Sequence, residues 1–302
     1  MNRRITSFFK IPESLRVPIL GGIIYKASVQ LDNKSIKREE ISNPLNKERR
    51  EEIVIASLTS YPARINYVHL AIKSLMVQTY KPDRIVLYLA KEQFPTMELP
   101  KELTELEKYG LEIIWMHDIY GHKKYFYPVL NQKENEVVIT FDDDIIYPKN
   151  AIARLMRTHK KYPNCLVCER GQTYDSSFEQ NPGLWKIISS VGVKKPTYSM
   201  NPSPGGGCLI PKGAFYIDAV NEDKIRDLAY KNDDLWYMFM CAQNKTKMIK
   251  THKYHKPFSV IDGSQAEQMA TENVLQNRNS VIMEGLIKAY PEAWRRIKED
   301  KD

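Results

Sequence analysis

Three consecutive aspartates follow a strongly apolar stretch near the middle of the sequence. Residues 137–141 combine β-branched and aromatic side chains, which is typical of a buried strand, and Asp142, Asp143 and Asp144 come directly after them. Like charges this close raise one another's pKa values, so the triplet is favourable only beside a cation; the alternative is a solvated acidic turn. Mg²⁺ and Mn²⁺ prefer oxygen ligands, often one or two carboxylates plus substrate phosphates. Since residues i and i+2 of an extended segment point the same way, Asp142 and Asp144 are the predicted metal ligands.

A second acidic pair, Asp233 and Asp234, precedes the apolar residues 235–240. Asn and Asp are good helix caps, and acidic residues are favoured in the first turn of a helix. A helix cap accounts for one of the two carboxylates, and we assign that role to Asp233. Asp234 is then predicted to point into a cleft as the main catalytic candidate, with Asp233 as the second candidate.

Apolar runs and helical periodicities alternate through the first half of the chain. Strands are predicted at residues 53–58, 85–89, 111–116 and 137–141, and helices at about 65–78, 100–109 and 151–159. This alternation predicts an α/β fold with a mostly parallel sheet and helices on both faces. Ligands bind beyond the carboxyl ends of such strands, so the loop at residues 59–64 is expected to face the same cleft as the triplet.

The remaining segments have a weaker pattern. Residues 118–131 are expected to form a polar, aromatic connection, and residues 171–204 to form long loops with short strands. A helical segment is predicted from about 267 to 298. We therefore divide the chain into a basic arm (1–50), a catalytic domain (51–265) and a C-terminal helical segment (266–302).

The net charge of +8 is concentrated at the amino end. Residues 1–50 hold eleven Lys and Arg against five Asp and Glu, and apolar residues lie among them. This mixture favours contact with an anionic membrane surface over nucleic acid, the alternative being a solvated leader. We expect no signal peptide and no membrane-spanning run, hence a cytoplasmic protein that is peripheral on the inner face of the plasma membrane. Four cysteines fit a reducing compartment, and Cys165 and Cys168 are predicted to be structural thiols.

The ordered set of motifs resembles the nucleotide-sugar glycosyltransferases of the GT-A (Rossmann-like) fold over about residues 51–255. Four pieces carry the resemblance: the first strand with its loop at 59–64, the motif Asp142-x-Asp144, the glycines at 205–207, and the acidic pair at a helix start. The similarity is greatest to bacterial capsule and lipopolysaccharide transferases, and residues 232–235 also resemble the acidic motif of exostosin-like transferases. Unlike generic family-2 transferases, this chain has no aspartate at the end of the second strand.

The resemblance implies a metal-dependent enzyme that moves a hexose or N-acetylhexosamine from a nucleoside-diphosphate sugar, most simply UDP-linked, to a glycan or lipid-linked acceptor in surface polysaccharide synthesis. Its cofactor would be Mn²⁺ or Mg²⁺, which stabilises the leaving diphosphate. The implied donor-binding residues are Thr59, Ser60, Tyr61, Arg64, Lys124, Asp142 and Asp143. The implied metal ligands are Asp142 and Asp144, with His252 or His255 as a third, although a surface histidine is the alternative there. Asp234 would act as the base or stabilise the sugar cation.

Two other functions fit parts of this pattern. A sugar-phosphate nucleotidyltransferase also uses a parallel sheet, two acids and a metal, but it normally has a Gly-rich loop after the first strand, and residues 59–64 contain no glycine. A non-catalytic module that binds glycan or nucleotide is the second alternative, and it would be favoured if either acidic pair were missing. Nucleic acid is not an expected partner.

Overall fold

The computed structural model describes residues 18–174, 187–188, 193, 195–251, 258–264 and 278–300. Their strands, in chain order, are β1 (Ile53–Thr59), β2 (Arg84–Ala90), β3 (Leu111–Met116), β4 (Glu136–Phe141), β5 (Ile145–Ile146), β6 (Leu166–Cys168), β7 (Gly171–Tyr174), β8 (Ile187–Ile188), β9 (Asn201–Pro202), β10 (Gly206–Ile210), β11 (Met248–Lys250) and β12 (Ser259–Val260). Their α-helices are α1 (Pro18–Arg38), α2 (Val68–Met76), α3 (Lys101–Thr104), α4 (Lys123–Leu130), α5 (Ala151–Lys161), α6 (Glu222–Leu228), α7 (Asp233–Gln243), α8 (Arg278–Ala289) and α9 (Pro291–Glu299).

A seven-stranded sheet forms the centre of the molecule, in the order β11-β6-β10-β4-β1-β2-β3. The pairs β1–β2, β2–β3, β1–β4 and β6–β11 are parallel, whereas β10 runs antiparallel to both β4 and β6. The carboxyl ends of β1, β4 and β6 therefore lie at the same edge of the sheet. Helices flank this sheet, which confirms the predicted α/β class and its mostly parallel topology.

Burial explains why the apolar runs became strands. All six residues of β4 are buried, and so are the five central residues of β1. A strand that is covered on both faces needs apolar side chains in both directions, which is why these strands do not alternate in polarity. The predicted strand positions are confirmed to within one residue at each end.

Helix α1 packs on the domain through a few specific contacts. The Tyr25 hydroxyl donates to the Phe258 carbonyl at 2.9 Å, and the Asn33 amide donates to the Val260 carbonyl at 2.9 Å. Ile36 is buried in the main core. The part of the predicted arm from residue 18 onwards thus contributes contacts to the fold, while the predicted domain boundaries stay predictions. Within the described ranges, no helix has the length and apolarity that a membrane crossing requires.

The structure corrects one predicted segment and adds detail to two others. The polar, aromatic segment 118–131, for which no element was predicted, contains α4, whose residues 123–128 are buried. The helix expected over 100–109 is only the short α3 followed by a 3₁₀ turn that ends at Gly110, which has a φ of +93°. The predicted C-terminal helical segment consists, where it is described, of two helices, because Pro291 begins α9 just after α8 ends; residues 265–277 lie outside the described residues.

Candidate functional site

The acidic triplet lies where β4 ends, at the carboxyl edge of the sheet. The middle residue, Asp143, is buried and is held by the loop after β1. Its carboxylate accepts a hydrogen bond from the Ser60 hydroxyl at 2.6 Å and another from an Arg64 guanidinium nitrogen at 2.9 Å. Burial raises the pKa of Asp143, although the Arg64 charge and these hydrogen bonds oppose the shift. Asp143 thus ties the triplet to the first loop.

Arg64 also neutralises the third acid of the triplet. Its Nη1 atom lies 2.9 Å from Asp144 Oδ2, and its guanidinium lies 5.6 Å from the centre of the Tyr61 ring. Burial would lower the pKa of Arg64, but the charges of Asp143 and Asp144 raise it, so the cation is firmly held. The nearby Thr59 hydroxyl donates to the Tyr88 carbonyl of β2 at 2.8 Å. The predicted donor-binding loop is therefore assembled against the triplet.

Asp142 is the most exposed of the three aspartates, with 39% of its side chain accessible to solvent. Its backbone nitrogen donates to the Tyr147 hydroxyl at 2.7 Å and to the Gly205 carbonyl at 3.2 Å. A Cβ atom built on Gly205 would lie only 1.5 Å from Asp142 Oδ2. A side chain at 205 would therefore displace the Asp142 carboxylate, which occupies that space.

Lys124 connects the triplet to the second acidic pair. Its ammonium lies 2.8 Å from Asp142 Oδ1 and 2.8 Å from Asp233 Oδ2, and only 7% of its side chain is exposed. Burial alone would lower the pKa of Lys124, but the two carboxylates raise it above its ordinary value. The structure therefore brings together two acidic motifs that are distant in sequence, and it places Lys124 between them.

Hydrogen bonds from the start of α4 explain how Lys124 reaches this position. The buried His122 ring bonds to the Ala229 carbonyl at 2.9 Å, and the Tyr125 hydroxyl donates to the Ala219 carbonyl at 2.9 Å. Burial lowers the pKa of His122 to about 4, so its imidazole is neutral and donates through Nε2. The Ser57 hydroxyl of β1 donates to the Lys124 carbonyl at 2.5 Å. These bonds fix α4 between the sheet and the segment that leads into α7.

The start of α7 corrects one sequence-based assignment. The Asn232 side chain, not Asp233, caps the helix by accepting a hydrogen bond from the Leu235 amide at 2.9 Å. Asp233 instead pairs with Lys124. Burial would raise the pKa of Asp233, but the Lys124 charge, His122 and the hydrogen bonds to this carboxylate together outweigh burial, and the pKa is lowered. Desolvation and the neighbouring Asp233 charge raise the pKa of Asp234 to about 8. At neutral pH, Asp233 is thus ionised, whereas the adjacent Asp234 is mostly protonated.

Arg170 also belongs to this region, and the sequence reasoning missed it. Its aliphatic stem packs on Gly206, where a built Cβ atom would lie 3.1 Å from three of its carbons. Its guanidinium lies 5.1 Å from the centre of the Phe258 ring and interacts electrostatically with Asp142 and Asp234. Arg170 follows β6, whose carboxyl end lies at the same sheet edge as that of β4. Residues 59–64 were assigned to the site because ligands bind beyond the carboxyl ends of parallel strands. The same rule would have identified Arg170, had the direction of β6 been known.

The carboxylates suit a divalent cation in number and in kind. Five aspartates meet three basic side chains here, Lys124, Arg64 and Arg170, so the carboxylates outnumber the cations even when Asp234 is protonated. Among the described residues, no group of three or more His, Cys, Asp and Glu is arranged to hold a metal ion. Two carboxylates suffice where substrate phosphates complete the coordination, as is usual for Mg²⁺. The predicted ligand His252, and His255, lie outside the described residues.

The four cysteines form no disulfide. All are free thiols, with Cys165 half-buried and the other three buried. Burial raises the pKa values of Cys165, Cys208 and Cys241, which makes these thiols less reactive.

No protein-family model matches this sequence, and no curated protein matches it. Among solved structures, the chain is similar to the mannosyltransferase PcManGT from Pyrobaculum calidifontis in complex with GDP-Man and Mn²⁺, with 10% identity and a TM-score of 0.44 over 92% of this chain and 85% of that one. It is similar to TarS from S. aureus in complex with UDP-GlcNAc, with 12% identity and a TM-score of 0.45 over 78% of this chain and 66% of that one. It is also similar to 4-diphosphocytidyl-2C-methyl-D-erythritol synthase from Anaerococcus prevotii, with 14% identity and a TM-score of 0.43 over 78% of this chain and 100% of that one. At these identities and TM-scores, the substrate and reaction of this chain have to be argued from its own site.

Proposed function

We propose that this protein is a metal-dependent glycosyltransferase that transfers a hexose or N-acetylhexosamine from a UDP sugar to a glycan or lipid-linked acceptor. The observation that carries the proposal is the contact of Lys124 with both Asp142 and Asp233, 2.8 Å in each case. It means that the acids at the end of β4 and the acids at the start of α7 line one site. A donor bound at the first set therefore has a carboxylate of the second set near its sugar.

Asp142 and Asp144 would hold a Mn²⁺ or Mg²⁺ ion, with His252 as the proposed third ligand. Such an ion, when bound, supplies Lewis-acid stabilisation of the departing diphosphate. Ser60 and Arg64 keep Asp143 and Asp144 in place, and Tyr61 lies beside the Arg64 guanidinium. These residues orient the nucleotide side of the donor. Lys124 and Arg170 add positive charge next to Asp142, where the diphosphate carries negative charge.

Asp234 takes the catalytic role in this proposal. A carboxylate whose pKa is about 8 is a strong base once it is ionised, and general bases work best when their pKa lies near the operating pH. Asp234 would accept the proton of the acceptor hydroxyl as that oxygen attacks the sugar carbon. In a retaining reaction it would instead stabilise the positively charged sugar. Asp233, which is held ionised by Lys124, keeps the start of α7 in position.

The amino-terminal residues provide the proposed link to a membrane. Their excess of basic residues and their interspersed apolar side chains suit the anionic inner face of a plasma membrane, where lipid-linked acceptors are found. This attachment would place the site next to its acceptor in the synthesis of a surface polysaccharide.

A donor-hydrolysis screen tests the proposed function. Purified protein is incubated with a set of UDP, GDP, ADP and CMP sugars, in Mn²⁺ or in EDTA, and the released nucleotide is quantified. We expect release of UDP from one UDP sugar in Mn²⁺, and much less in EDTA or with Asp144→Asn. Equal calorimetric affinity for UDP in Mn²⁺ and in EDTA would remove the metal from the proposal. Release of pyrophosphate from a nucleoside triphosphate plus a sugar phosphate would instead identify a nucleotidyltransferase.

A further inference from the structure

The buried side chain of Asn33 binds the backbone of a segment that is distant in sequence. Its amide nitrogen donates to the Val260 carbonyl at 2.9 Å, and its oxygen accepts from the Asp262 amide at 3.0 Å. Asn33 is only 1% exposed, although it lies in the interior of α1, where asparagine is a poor helix former. Local helix preference therefore does not explain asparagine at this position, whereas the two backbone hydrogen bonds do.

The other side of the same segment binds the acidic triplet. The Ile261 amide donates to the Asp144 carbonyl at 2.8 Å, and β12 pairs antiparallel with β5, which begins directly after Asp144. The bonded groups of Val260 and Asp262 face α1, and the Ile261 amide between them faces Asp144. Residues 260–262 therefore connect the Asn33 side chain to the backbone of Asp144.

The pair of β12 and β5 is too short to hold this segment by itself. Each of the two strands has two residues, and an isolated two-stranded ribbon is marginally stable in water. Two further side chains of α1 contact the segment: the Ser259 hydroxyl donates to the Asp32 carboxylate, and the Tyr25 hydroxyl donates to the Phe258 carbonyl at 2.9 Å. Helix α1 thus supports β12 on the side that β5 leaves open.

Asp144 is held at its side chain and at its backbone. Arg64 Nη1 lies 2.9 Å from Asp144 Oδ2, and the Ile261 amide binds the Asp144 carbonyl. Arg64 competes with a divalent cation for the carboxylate, because both are positively charged. The hydrogen bond from Ile261 uses the backbone carbonyl and does not compete. It can therefore keep Asp144 in position while the carboxylate binds an ion.

We propose that Asn33 is a positioning residue of the metal site, which holds Asp144 in place through residues 260–262. This inference rests on the proposed glycosyltransferase function, and it makes α1 part of the site rather than part of a separate arm. Groups that orient metal ligands without touching the metal typically contribute about 10- to 100-fold to metal affinity. We expect the lower end of this range, about tenfold, because Asn33 acts on the ligand through the backbone of another segment.

Electron paramagnetic resonance of Mn²⁺ measures this contribution directly, because the sharp signal of the aqueous ion is lost when the ion binds. Full-length wild type and Asn33→Ala are titrated with Mn²⁺ in excess UDP. The Kd of Mn²⁺ should rise about tenfold in Asn33→Ala. Ser259→Ala, which loses only the bond to Asp32, should raise this Kd by a smaller factor. Since Ser259→Ala retains the Asn33 bonds, it tests the support of β12 even if Asn33→Ala folds poorly.

Gln132→Ala is the matched control. Gln132 is also buried, and its side-chain amide donates to the carbonyls of Glu136 at 2.8 Å and Ile210 at 3.1 Å. These bonds lie where β4 begins and β10 ends, at the sheet edge opposite the acidic triplet. Gln132→Ala should lower the melting temperature, as Asn33→Ala does, but leave the Kd of Mn²⁺ unchanged. A role of Asn33 in stability alone would leave that Kd unchanged in both variants.

Hydrogen exchange of the Ile261 amide tests the connecting step in the absence of nucleotide. Exchange should be faster in Asn33→Ala than in wild type and unchanged in Gln132→Ala, because local opening of β12 exposes this amide. A Kd of Mn²⁺ that is equal in wild type and Asn33→Ala, or raised equally in Gln132→Ala, would overturn the inference and leave the proposed function intact. If the wild type binds no Mn²⁺ in the presence of UDP, the metal-dependent transferase itself is contradicted, and the role of Asn33 with it.

Discussion

The ammonium of Lys124 lies 2.8 Å from the carboxylate of Asp233, and both groups are largely withdrawn from solvent. Lys124 reaches this carboxylate from α4, whereas Asp233 begins α7, so the pair joins two helices as well as two charges. The same ammonium contacts Asp142. Removal of Lys124 would leave the carboxylates of Asp142 and Asp233 without this cation, and the Asp233 carboxylate is poorly hydrated.

We therefore expect Lys124→Met to be destabilising. Loss of one partner of a buried ion pair costs about 3 kcal/mol, so the melting temperature should fall by several degrees. The control is Lys149→Met, because Lys149 pairs with Glu39 on the surface, where 57% of the lysine side chain is exposed. That pair should contribute less than about 1 kcal/mol. Equal melting temperatures for the two variants would show that the buried pair does not stabilise the fold.

Asp234→Asn should separate chemistry from binding. A group that acts in the transition state lowers kcat when it is lost and hardly changes donor affinity. We expect turnover to fall by about 10² to 10⁴-fold, as is typical for loss of a general base. Asp233→Asn should instead lower the melting temperature more, because it removes a partner of Lys124 rather than a helix cap. Normal turnover of Asp234→Asn would transfer the catalytic role to another carboxylate.

The raised pKa of Asp234, about 8, predicts opposite effects of pH on turnover and on stability. Burial raises this pKa most, the charges of Asp233 and Asp142 raise it further, and Lys124 and Arg170 oppose them. Between pH 4 and 8 the folded protein keeps a proton that the unfolded chain has lost, so stability should fall as the pH rises through this range. A general base must lose that proton, so turnover should rise towards pH 8. In Asp234→Asn, turnover and stability should both depend less on pH in this range, as measured by pH-rate profiles and by thermal unfolding at several pH values.

Gly205→Ala tests the packing of Asp142. The added methyl group would occupy the position of the Asp142 carboxylate, 1.5 Å from Oδ2, and must displace it. We expect weaker binding of UDP in Mn²⁺, measured by calorimetry, and a smaller response of that binding to EDTA. The control Gly285→Ala lies in α8, where the nearest atom would be 3.6 Å from the new Cβ. It should bind UDP normally and be slightly more stable, because alanine favours helices.

Deletion of residues 1–17 tests membrane attachment without disturbing the fold that the structure describes. These residues include four basic and one acidic side chain, together with Phe8 and Phe9. We expect less sedimentation with anionic liposomes and unchanged donor hydrolysis. A deletion that extends through residue 45 would also remove the buried Ile36 and the Asn33 hydrogen bonds, so it would test stability as well. Undiminished sedimentation after the short deletion would indicate a solvated leader.

The apolar runs predicted most of the sheet, because a strand that is buried on both faces consists almost entirely of apolar residues. Helix α4 escaped prediction because it is only eight residues long and contains Pro128. Tertiary contacts maintain it instead, among them those of Tyr125 and His122 with carbonyls of the segment before α7. Those partners are distant in sequence, so no local signal could reveal them.

The sequence predicted which residue types form the candidate site, but it predicted only some of the contacts between them. Both acidic motifs were recognised, since carboxylates next to apolar runs are conspicuous. The sequence Asn232-Asp233-Asp234 offers three possible helix caps one residue apart, and a distant residue decides among them. Lys124 attracts Asp233, which leaves Asn232 as the cap.

The antiparallel strand β10 sets the order in which the protein can fold during synthesis. It lies between β4 and β6, so these strands join one sheet only after residue 210 has left the ribosome. The same segment supplies Gly205, whose carbonyl accepts the Asp142 backbone hydrogen bond. Pairings between strands far apart along the chain form slowly, and an unpaired strand edge is prone to aggregation. The nascent chain must therefore carry β4 with one open edge, beside the aspartates at 142–144, for the 69 residues from the end of β4 to Ile210. The negative charge of those aspartates would itself discourage premature pairing with another chain until β10 arrives.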